Sequence, residues 1–559
     1  MKNNTFFKLF LLCIIAFLIR AWFLDKPEGL WNDEYMGWYI ASMDNIKDMI
    51  SHILTNCHTP LYYFYLKFWM FLFGDTDYSL RMSSVFPSIL CIPTMFLLAK
   101  KMFNEECGYI AAIFTTFSSF CIYFAQEARL YSLLFLICSI LIYTFYIATT
   151  ERKKIHLILY FVLNAILCLS HTIGIIFSIF NIAGFIYSYN CEKIDFKQKI
   201  KELIKYILPF IFFIIIISPL LFNIAFSKSL SQFWSEFSYS KIFYTFIDYF
   251  SPIQTNLSNS PVEIIPYIYN NSKINFIFII FGIIPFVIGI ITIINSIKQK
   301  NKVLNTLLVS SLCFFSSLVF FSFIGKIVLA TKYSVEMYPV LILAFSYGIY
   351  TITNKKMKYV LLSTYFILNL LFIFTSPEAP QRLTRPEGNL APVELIRNSR
   401  LKPGENVILT YYDLDKFKRY LTDKDNYKFT SIDKFNFNEV MFKNDNYYDV
   451  IHNGKMMYRD YFRDYPAPTI QEYSFNNFIT KMRKDERIGI LFLDNVSFIS
   501  NESIQEIISD DKRYMKTPFI FLCFSALRIN LMYSFKYVFE MDSITQAGDW
   551  TLVVYKKKN

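Results

Sequence analysis

The chain has 559 residues, of which 54% are hydrophobic and 19% aromatic, and its formal net charge is +12 at pH 7. A soluble globular protein of this length is rarely so apolar. The basic excess does not predict a nucleic-acid partner, because much of the Lys and Arg falls in short segments between apolar runs, where the positive-inside rule places it. These properties exclude an ordinary soluble enzyme and predict a polytopic membrane protein.

Apolar runs of about 17–22 residues recur along most of the chain, and each can cross a hydrocarbon core of about 30 Å. We predict eleven membrane-spanning helices, at 6–24, 80–99, 108–124, 130–149, 156–170, 172–189, 203–224, 273–296, 304–324, 334–353 and 358–375. Because the first run lacks a small-residue cleavage site and more runs follow it, we expect an uncleaved helix rather than a signal peptide.

The distribution of basic residues predicts the orientation of these spans. The inside segments hold 18 Lys or Arg in 50 residues, at 1–8, 100–107, 150–155, 190–205, 297–303 and 354–358. The outside segments hold 10 in about 120 residues, at 25–81, 125–129, 225–273 and 325–333. This asymmetry predicts an N-terminus inside, and an odd number of spans then predicts a C-terminal domain outside. We expect an integral protein of a prokaryotic plasma membrane.

The run PLYYFYLKFWMFLF, at 60–73, is apolar but is not predicted to span the membrane. Fourteen residues at about 1.5 Å each give about 21 Å, which is shorter than the hydrocarbon core. A span here would also move the basic segment at 99–103, and most later basic loops, to the outside. We therefore predict helices at 37–73 that lie along or dip into the outer interface.

The sequence changes character near residue 376, so we predict a transmembrane catalytic domain at 1–376 and a soluble α/β domain at 377–559. A Pro-rich linker, SPEAPQRLTRPEGNLAP, opens the second domain. The segments ENVILTYY, DERIGILFLDNV and DWTLVVYKKK are typical of strands, and DLDKFKRYL is typical of a helix. The fold class is thus a polytopic α-helical membrane protein with a C-terminal soluble α/β domain.

Ionisable residues from distant parts of the sequence are predicted at one membrane depth on the outer side. They are Asp33 and Glu34 in WNDEYMGWYI, His58, Arg81, Glu127 and Arg129 in QEARLY, His171, Lys332 in GKIVLATKY, and Glu236 and Asp248, beside Trp234, in the 225–273 loop. Charged groups at this depth indicate a functional site. Structural interpretations stay open: the two acids as caps of a helix at 37, the arginines as anchors, and the histidines as packing or turn residues.

A carboxylate can act as a general base toward a hydroxyl, and Arg and Lys can hold a phosphate. A base with cations at the lipid boundary suits a lipid phosphate as leaving group. The sequence has neither a Walker loop nor a Rossmann glycine motif, which argues against a nucleotide donor. The ten cysteines lie mostly in apolar runs and form no Cys-x-x-Cys motif. The motif GDTD, at 74–77, fits a turn, so we predict no metal site and no required cofactor, with a divalent cation as the alternative.

These residues resemble the GT-C polyprenyl-phosphate-sugar transferases, the family 39-like group that includes protein O-mannosyltransferases and the aminoarabinose transferase of lipid A. The matching segments occur in the family's order: NDEY, HTPLYYFYLKFWMFLFG, YSLRMSSVFPSILCIPTMFLLAKKMF, GYIAAIFTTFSSFCIYFAQEARLYSLLFL, SHTIG and KYSVEMYPVLIL. The resemblance covers about residues 6–350. It departs from the family's His-Pro-Pro-Leu at Thr59, which replaces the first Pro, and at Tyr62, where the family often has a basic residue.

The resemblance implies an inverting transfer of one sugar from a polyprenyl phosphate to a protein, lipid or glycan acceptor at the outer face. It assigns Asp33 as the base, with Glu34 positioning acceptor or sugar. It assigns Arg129 and Lys332 to the donor phosphate, with Tyr131 and Tyr333 nearby. Further candidate site residues are His58, Arg81, Glu127 and His171.

Two other classes of protein stay open at this point. A transporter or lipid flippase also has many spans and intramembrane charges, although it more often has broken helices or duplicated halves near the midplane. A non-catalytic scaffold or receptor would require the acidic pair to be incidental. Consumption of a polyprenyl-phosphate sugar by the purified protein distinguishes these classes from a transferase.

Overall fold

The computed structural model describes residues 2–26, 28–55, 58–189, 196–226, 239–252, 278–324, 329–375, 388–409, 419–422, 424–425, 427–431, 487–493, 539–547 and 550–557. The described residues up to Thr375 are mostly helical, and those from residue 388 onward contain a five-stranded sheet. Two compact units result: Met1–Asp25 with Met36–Leu383, and Lys26–Tyr35 with Thr384–Asn559.

The α-helices, in chain order, are α1 (Lys2–Ala21), α2 (Asn32–Ser42), α3 (Ile46–Thr55), α4 (Leu61–Phe73), α5 (Asp77–Met102), α6 (Glu105–Phe117), α7 (Ser119–Ala125), α8 (Tyr131–Thr150), α9 (Lys154–Ser170), α10 (Gly174–Tyr189), α11 (Phe196–Phe226), α12 (Tyr239–Phe250), α13 (Ile284–Lys298), α14 (Lys302–Phe323), α15 (Tyr338–Tyr350), α16 (Lys355–Thr375) and α17 (Ala391–Arg397). A π-helix, Phe278–Ile283, precedes α13, and a 3₁₀-helix, Thr331–Met337, precedes α15.

Six of the described helices are long and apolar enough to cross a membrane: α1, α5, α8, α13 with part of the π-helix, α14 and α16. The pair α6 and α7, bent by 52°, makes a seventh if it counts as one span. Four predicted spans remain. Three of them correspond to the shorter apolar helices α9, α10 and part of α11. The last, predicted at 334–353, contains α15. The protein is therefore an integral membrane protein, and each predicted span contains a described helix, although residues 273–277 of the span predicted at 273–296 lie outside the described residues.

The apolar run at 60–73 forms α4, which has 13 residues and belongs to the shorter apolar helices. Its apolar side chains Phe68, Phe71 and Phe73 are exposed, as expected for contact with lipid. The first helix of this predicted region, α2, begins at Asn32, five residues before the predicted start at 37. Asp33 and Glu34 are therefore inside the first turn of a helix.

The bend between α6 and α7 at Ser118 is stabilised by an arginine of α1. Arg20 is fully buried, and its guanidinium donates hydrogen bonds to the carbonyl oxygens of Thr115 (2.8 Å) and Thr116 (3.0 Å). The last carbonyls of a helix lack partners within it, and they carry the negative end of its dipole. A third bond joins Arg20 to the Ser88 hydroxyl of α5 at 2.9 Å.

A second set of hydrogen bonds joins Gln126, which follows α7, to the end of α1. The Gln126 side-chain amide donates to the carbonyl oxygens of Arg20 (3.0 Å) and Trp22 (2.8 Å). Each helix end thus receives its missing donors from the other segment. Together these bonds fix the turn that follows α7, which carries the predicted QEARLY residues.

The C-terminal sheet contains β1 (Asn406–Leu409), β2 (Lys428–Ser431), β3 (Arg487–Leu493), β4 (Phe539–Ala547) and β5 (Trp550–Lys557). The strand order is β2-β1-β3-β5-β4, with β1 parallel to β2 and β3, and β5 antiparallel to β3 and β4. The strands predicted in ENVILTYY, DERIGILFLDNV and DWTLVVYKKK are confirmed as β1, β3 and β5. The helix predicted in DLDKFKRYL and the linker to residue 387 lie largely outside the described residues.

The core of this unit forms where α17 packs on the sheet. It consists of Val393, Ile396, Leu401, Val407, Leu552 and Val554. Arg397 of α17 forms a two-pronged ion pair with Asp425. It donates to both carboxylate oxygens, from Nε at 2.9 Å and from Nη2 at 2.6 Å. The same Nη2 donates to the backbone carbonyl of Tyr420 at 2.8 Å.

Candidate active site

The turn between α7 and α8 carries three of the predicted site residues. Glu127 and Arg129 are buried, and the Arg129 amide donates to the Glu127 carbonyl at 2.7 Å, which makes the turn tight. Tyr131 is the first residue of α8 and is also buried. The hydroxyl of Ser84 in α5 donates to the Arg129 carbonyl at 3.0 Å. The backbone of the turn is thus fixed from α1 and from α5.

Arg81, one turn before Ser84 on α5, is buried and donates to the Leu24 carbonyl at 3.0 Å. This bond gives Arg81 a structural role at the end of α1. His58 lies before α4, half-buried, with its ring 5.9 Å from that of Tyr63. Gly37 of α2 lies next to the turn between α7 and α8, because a Cβ at this position would lie 3.7 Å from the Ala128 carbonyl oxygen.

A second group of predicted residues lies on the 3₁₀-helix. Lys332 is buried, and its ammonium group lies 5.3 Å from the centre of the Tyr333 ring, within the range of a cation–π contact. This helix packs against α8, which begins at Tyr131. The segment with Lys332 and the helix that follows Arg129 are therefore neighbours in the first unit.

His171 ends α9 and contacts the 3₁₀-helix at two places three residues apart. Its ring stacks on Tyr333, with centroids 6.2 Å apart and planes at 23°. Its Nδ1 lies 2.6 Å from Oε1 of Glu336, a fully buried carboxylate whose Oε2 has no hydrogen-bond partner among the described residues. Buried polar groups need hydrogen-bond partners, so His171 and Glu336 hold each other in place.

The other side of the 3₁₀-helix is held by α12. Thr331 donates its hydroxyl proton to the buried carboxylate of Asp248 at 2.7 Å. The neighbouring Tyr249 hydroxyl donates to Ser334. The two contacts fall three residues apart, and the second is at Ser334, where the helix is kinked. The segment that presents Lys332 is therefore clamped from two sides.

A tyrosine links this clamp to the bend at Ser118. The Tyr338 hydroxyl donates to the Tyr249 carbonyl at 3.0 Å and shares a 2.6 Å hydrogen bond with the Ser118 hydroxyl. Such buried networks are rigid when their members are satisfied. The bend beside the Arg129 turn and the Lys332 segment are thus parts of one hydrogen-bonded framework.

The two acids lie on the segment that groups with the C-terminal unit. Glu34 is buried, Asp33 is half-buried, and both are in the first turn of α2. A Glu34 carboxylate oxygen accepts from the Trp31 amide at 3.3 Å, which is one half of a capping box. The structural interpretation of this pair as helix caps therefore holds in part for Glu34. The helix dipole stabilises negative charge at this position.

Sequence reasoning missed three buried groups. Arg20 was counted simply as part of the first span, and Glu336 was passed over within the helix predicted at 334–353. Gln126 was quoted within QEARLY but was given no role. The signal for Arg20 was a full charge inside an apolar run, which requires buried polar partners.

Of the other loop candidates, Trp234 and Glu236 lie outside the described residues. Among the described residues, no group of three or more His, Cys, Asp or Glu is arranged to hold a metal ion.

The model of the dolichyl-phosphate-mannose-protein mannosyltransferase family matches residues 57–222. The matched segment runs from just before α4 into α11 and contains the Arg129 turn. The resemblance to lipid-phosphate-dependent glycosyltransferases that the motifs predicted is confirmed for this part of the chain. A comparison with curated proteins gave no significant match.

Solved structures similar to this chain include ArnT from Cupriavidus metallidurans bound to undecaprenyl phosphate, with 10% identity, 97% of each chain covered and a TM-score of 0.48. The apo state of that protein matches at 9% identity, over 99% of this chain and 98% of the other, with a TM-score of 0.49. The archaeal oligosaccharyltransferase AglB from Archaeoglobus fulgidus matches at 11% identity, over 99% of this chain and 74% of the other, with a TM-score of 0.43.

Proposed function

We propose that this protein is an inverting glycosyltransferase that moves one sugar from a polyprenyl-phosphate carrier to an acceptor at the outer face of the membrane. The observation that carries the proposal is the family match over residues 57–222, a family that acts with a lipid-phosphate-linked mannose. The acceptor is a protein, a lipid or a glycan, and the membrane is the plasma membrane of a prokaryote, with the N-terminus inside and the C-terminal domain outside.

The donor phosphate is held by Arg129 and Lys332 in this proposal. Arg can bind two phosphate oxygens at once, and Lys acts as a point charge. Both side chains are buried, so their attraction for a phosphate is stronger than it would be in water. Tyr131 and Tyr333 flank these cations in sequence and supply hydroxyl donors to the same group.

The base is Asp33, with Glu34 positioning the acceptor or the sugar. A carboxylate at the first turn of a helix is kept ionised by the helix dipole, and an ionised carboxylate can accept a proton.

The proposed reaction is a single displacement. Asp33 takes the proton of an acceptor hydroxyl, whose oxygen forms a bond with the anomeric carbon. The bond from that carbon to the phosphate oxygen breaks on the opposite side, and its electron pair leaves with the lipid phosphate. Arg129 and Lys332 stabilise the charge that develops there. A one-step inversion requires no second carboxylate as a nucleophile.

The lipid part of the donor is assigned to α4 and its surroundings. This helix has 13 residues and exposes large apolar side chains, which are Phe64, Phe68, Phe71, Leu72 and Phe73. Such a face suits the boundary between headgroups and acyl chains. The proposal gives it the task of seating the isoprenoid near the phosphate.

The full-length protein in detergent or vesicles tests the proposal. Incubation with a labelled polyprenyl-phosphate-linked sugar and a membrane extract as acceptor should release polyprenyl phosphate and label the acceptor. The Asp33→Asn variant should lose turnover while keeping its thermal unfolding temperature. Asp44→Asn, an exposed acid of the same region, is the matched control and should turn over normally. Near-normal turnover of Asp33→Asn would remove Asp33 as base.

The transporter alternative gives a different result in the same vesicles. A flippase would move the labelled lipid-linked sugar between leaflets, and no polyprenyl phosphate would be released. The inverted anomeric configuration is checked separately, by NMR of the transferred sugar.

A further inference from the structure

The segment that precedes the two acids is bound to the beginning of the C-terminal domain by three hydrogen bonds. The amide of Leu390 donates to the Glu28 carbonyl at 2.9 Å. The Leu30 carbonyl accepts twice from Asn389, from the backbone amide at 3.0 Å and from the side-chain Nδ2 at 2.8 Å. The partners are about 360 residues apart in the chain. We call residues 28–31 the tethered segment.

A fourth bond attaches the tethered segment to the strand-bearing part of the domain. The Leu30 amide donates to the hydroxyl of Tyr420 at 2.7 Å. The backbone of Tyr420 is in turn held by Arg397, which forms the two-pronged ion pair with Asp425. The tethered segment is therefore connected through Tyr420 to the Arg397–Asp425 ion pair of the C-terminal unit.

Two glycines permit this close approach. Gly29 has a φ of +74°, and a Cβ there would lie 2.7 Å from Cβ of Leu390 and 2.8 Å from the Tyr420 hydroxyl. At Gly388, a Cβ would lie 2.3 Å from the Glu28 carbonyl oxygen. Real Cβ atoms do not come so close, so neither position accepts another residue without movement of the tethered segment.

The tethered segment is buried as well as hydrogen-bonded. Glu28, Leu30 and Trp31 are 8%, 0% and 7% exposed, and Asn389 is 1% exposed. The chain then passes directly into α2, where Asp33 is two residues beyond Trp31. A displacement of the tethered segment would therefore move the start of α2 and the carboxylate on it.

We propose that Asn389 and Tyr420 are positioning residues for the transfer reaction, and that the C-terminal domain sets the place of the base Asp33 through the tethered segment. The inference rests on the proposed function, because it takes Asp33 as the base. It assigns the C-terminal domain a part in each turnover, beyond any binding of the acceptor. A shift of about 1 Å in a reacting group can lower a rate by about a hundredfold.

The tether itself is tested without any activity measurement. Hydrogen exchange of full-length protein should show a protected Leu30 amide, and Tyr420→Phe, which removes the acceptor, should make its exchange about fivefold faster. Tyr427→Phe, in the same unit, should leave the exchange unchanged. An unprotected Leu30 amide in the wild-type protein would overturn the proposal, whatever the activity of the protein.

Turnover then tests the positioning role. Gly29→Ala should lower kcat at least about tenfold, and Tyr420→Phe and Asn389→Ala should lower it less, while binding of polyprenyl phosphate stays within about twofold of the wild type. Gly404→Ala is the matched control, because this glycine also has a positive φ, +93°, and its Cβ position meets nothing within 4 Å. An equal loss in this control, or a parallel loss of phosphate binding, would overturn the proposal.

A double variant separates positioning from general stability. If Gly29→Ala acts through Asp33, it should have no further effect on the residual rate of Asp33→Asn. Additive losses would show that the tethered segment acts elsewhere. If Leu30 is protected as expected and the wild-type protein transfers no sugar, the tether exists and the proposed function is wrong, so the two failures are distinguishable.

Discussion

Replacement of Arg20 by Met should destabilise the membrane unit, although many side chains of α1 are exposed and substitutions at exposed positions have small effects. The side chain is fully buried and donates three hydrogen bonds of 2.8–3.0 Å, to Thr115, Thr116 and Ser88. Met has a similar length and is apolar, so the change removes the donors and leaves two helix-end carbonyls without them.

The expected loss follows from these three bonds. Polar bonds in membrane proteins average about 0.6 kcal/mol each, and bonds to charged groups in water-soluble proteins contribute about 1.5–3 kcal/mol. Removal of the charge also removes its cost of burial, which offsets the upper values. We therefore expect a decrease of about 2–4 kcal/mol in the free energy of unfolding, roughly a 30- to 1,000-fold change in the unfolding equilibrium.

Reversible unfolding in mixed detergent micelles measures this quantity. Lys8→Met, an exposed cation of the same helix, is the control and should change the free energy by less than about 0.5 kcal/mol. Arg20→Lys should fall between the two, because a single ammonium group cannot reach both carbonyls with the geometry of a guanidinium. If Arg20→Met unfolds like the wild-type protein, the bend at Ser118 does not depend on these bonds and the reasoning fails.

Three further predictions concern the site and the C-terminal unit. Lys332→Met should lower kcat/KM for the lipid donor about 10²–10³-fold, and the exposed Lys356→Met should not; equal values for the two variants would remove Lys332 from the donor site. A chelator such as EDTA should leave turnover unchanged, because the proposal gives the phosphate charge to Arg and Lys; a loss restored by a divalent cation would contradict it. The hydrogen bonds and charge of Arg397 hold the pKa of the Asp425 carboxyl below its usual range. The stability from this pair is therefore complete above the unfolded pKa of about 4 and is lost as the pH falls through the lower folded value. Asp425→Asn should destabilise the C-terminal unit by about 2 kcal/mol at pH 7, with a smaller difference from the wild type in acid; an equal difference at both pH values would contradict the assignment.

The helices could be predicted from the sequence because hydropathy and length alone determine where a chain can cross a bilayer. The rejection of 60–73 as a span rested on the same physics and stays a prediction, because α4 has 13 residues and so does α15, which lies within a predicted span. The strands β1, β3 and β5 were predictable from their continuous apolar runs, whereas β2 and β4 carry more polar residues and were missed. Their place in the sheet comes from pairing with β1 and β5.

The site was predictable in its residue types and less so in its contacts. The sequence indicated Arg129, Lys332 and His171, and the structure shows that His171 and Lys332 both contact Tyr333. Glu336 was missed because a lone acid near the start of a predicted span has no periodic signal, and its partner is 165 residues away. The assignment of residues 26–35 to the C-terminal unit depends on contacts of still longer range.

The two-sided attachment of the 3₁₀-helix has a consequence for how this segment can vary. Tyr333 and Glu336 contact His171 at the end of α9, and Thr331 and Ser334 contact α12. These contacts alternate between the two partners along the segment, which is kinked at Ser334. A deletion or insertion of one residue would therefore move every later contact residue out of register with its partner, whereas a substitution leaves the spacing of the other contacts unchanged.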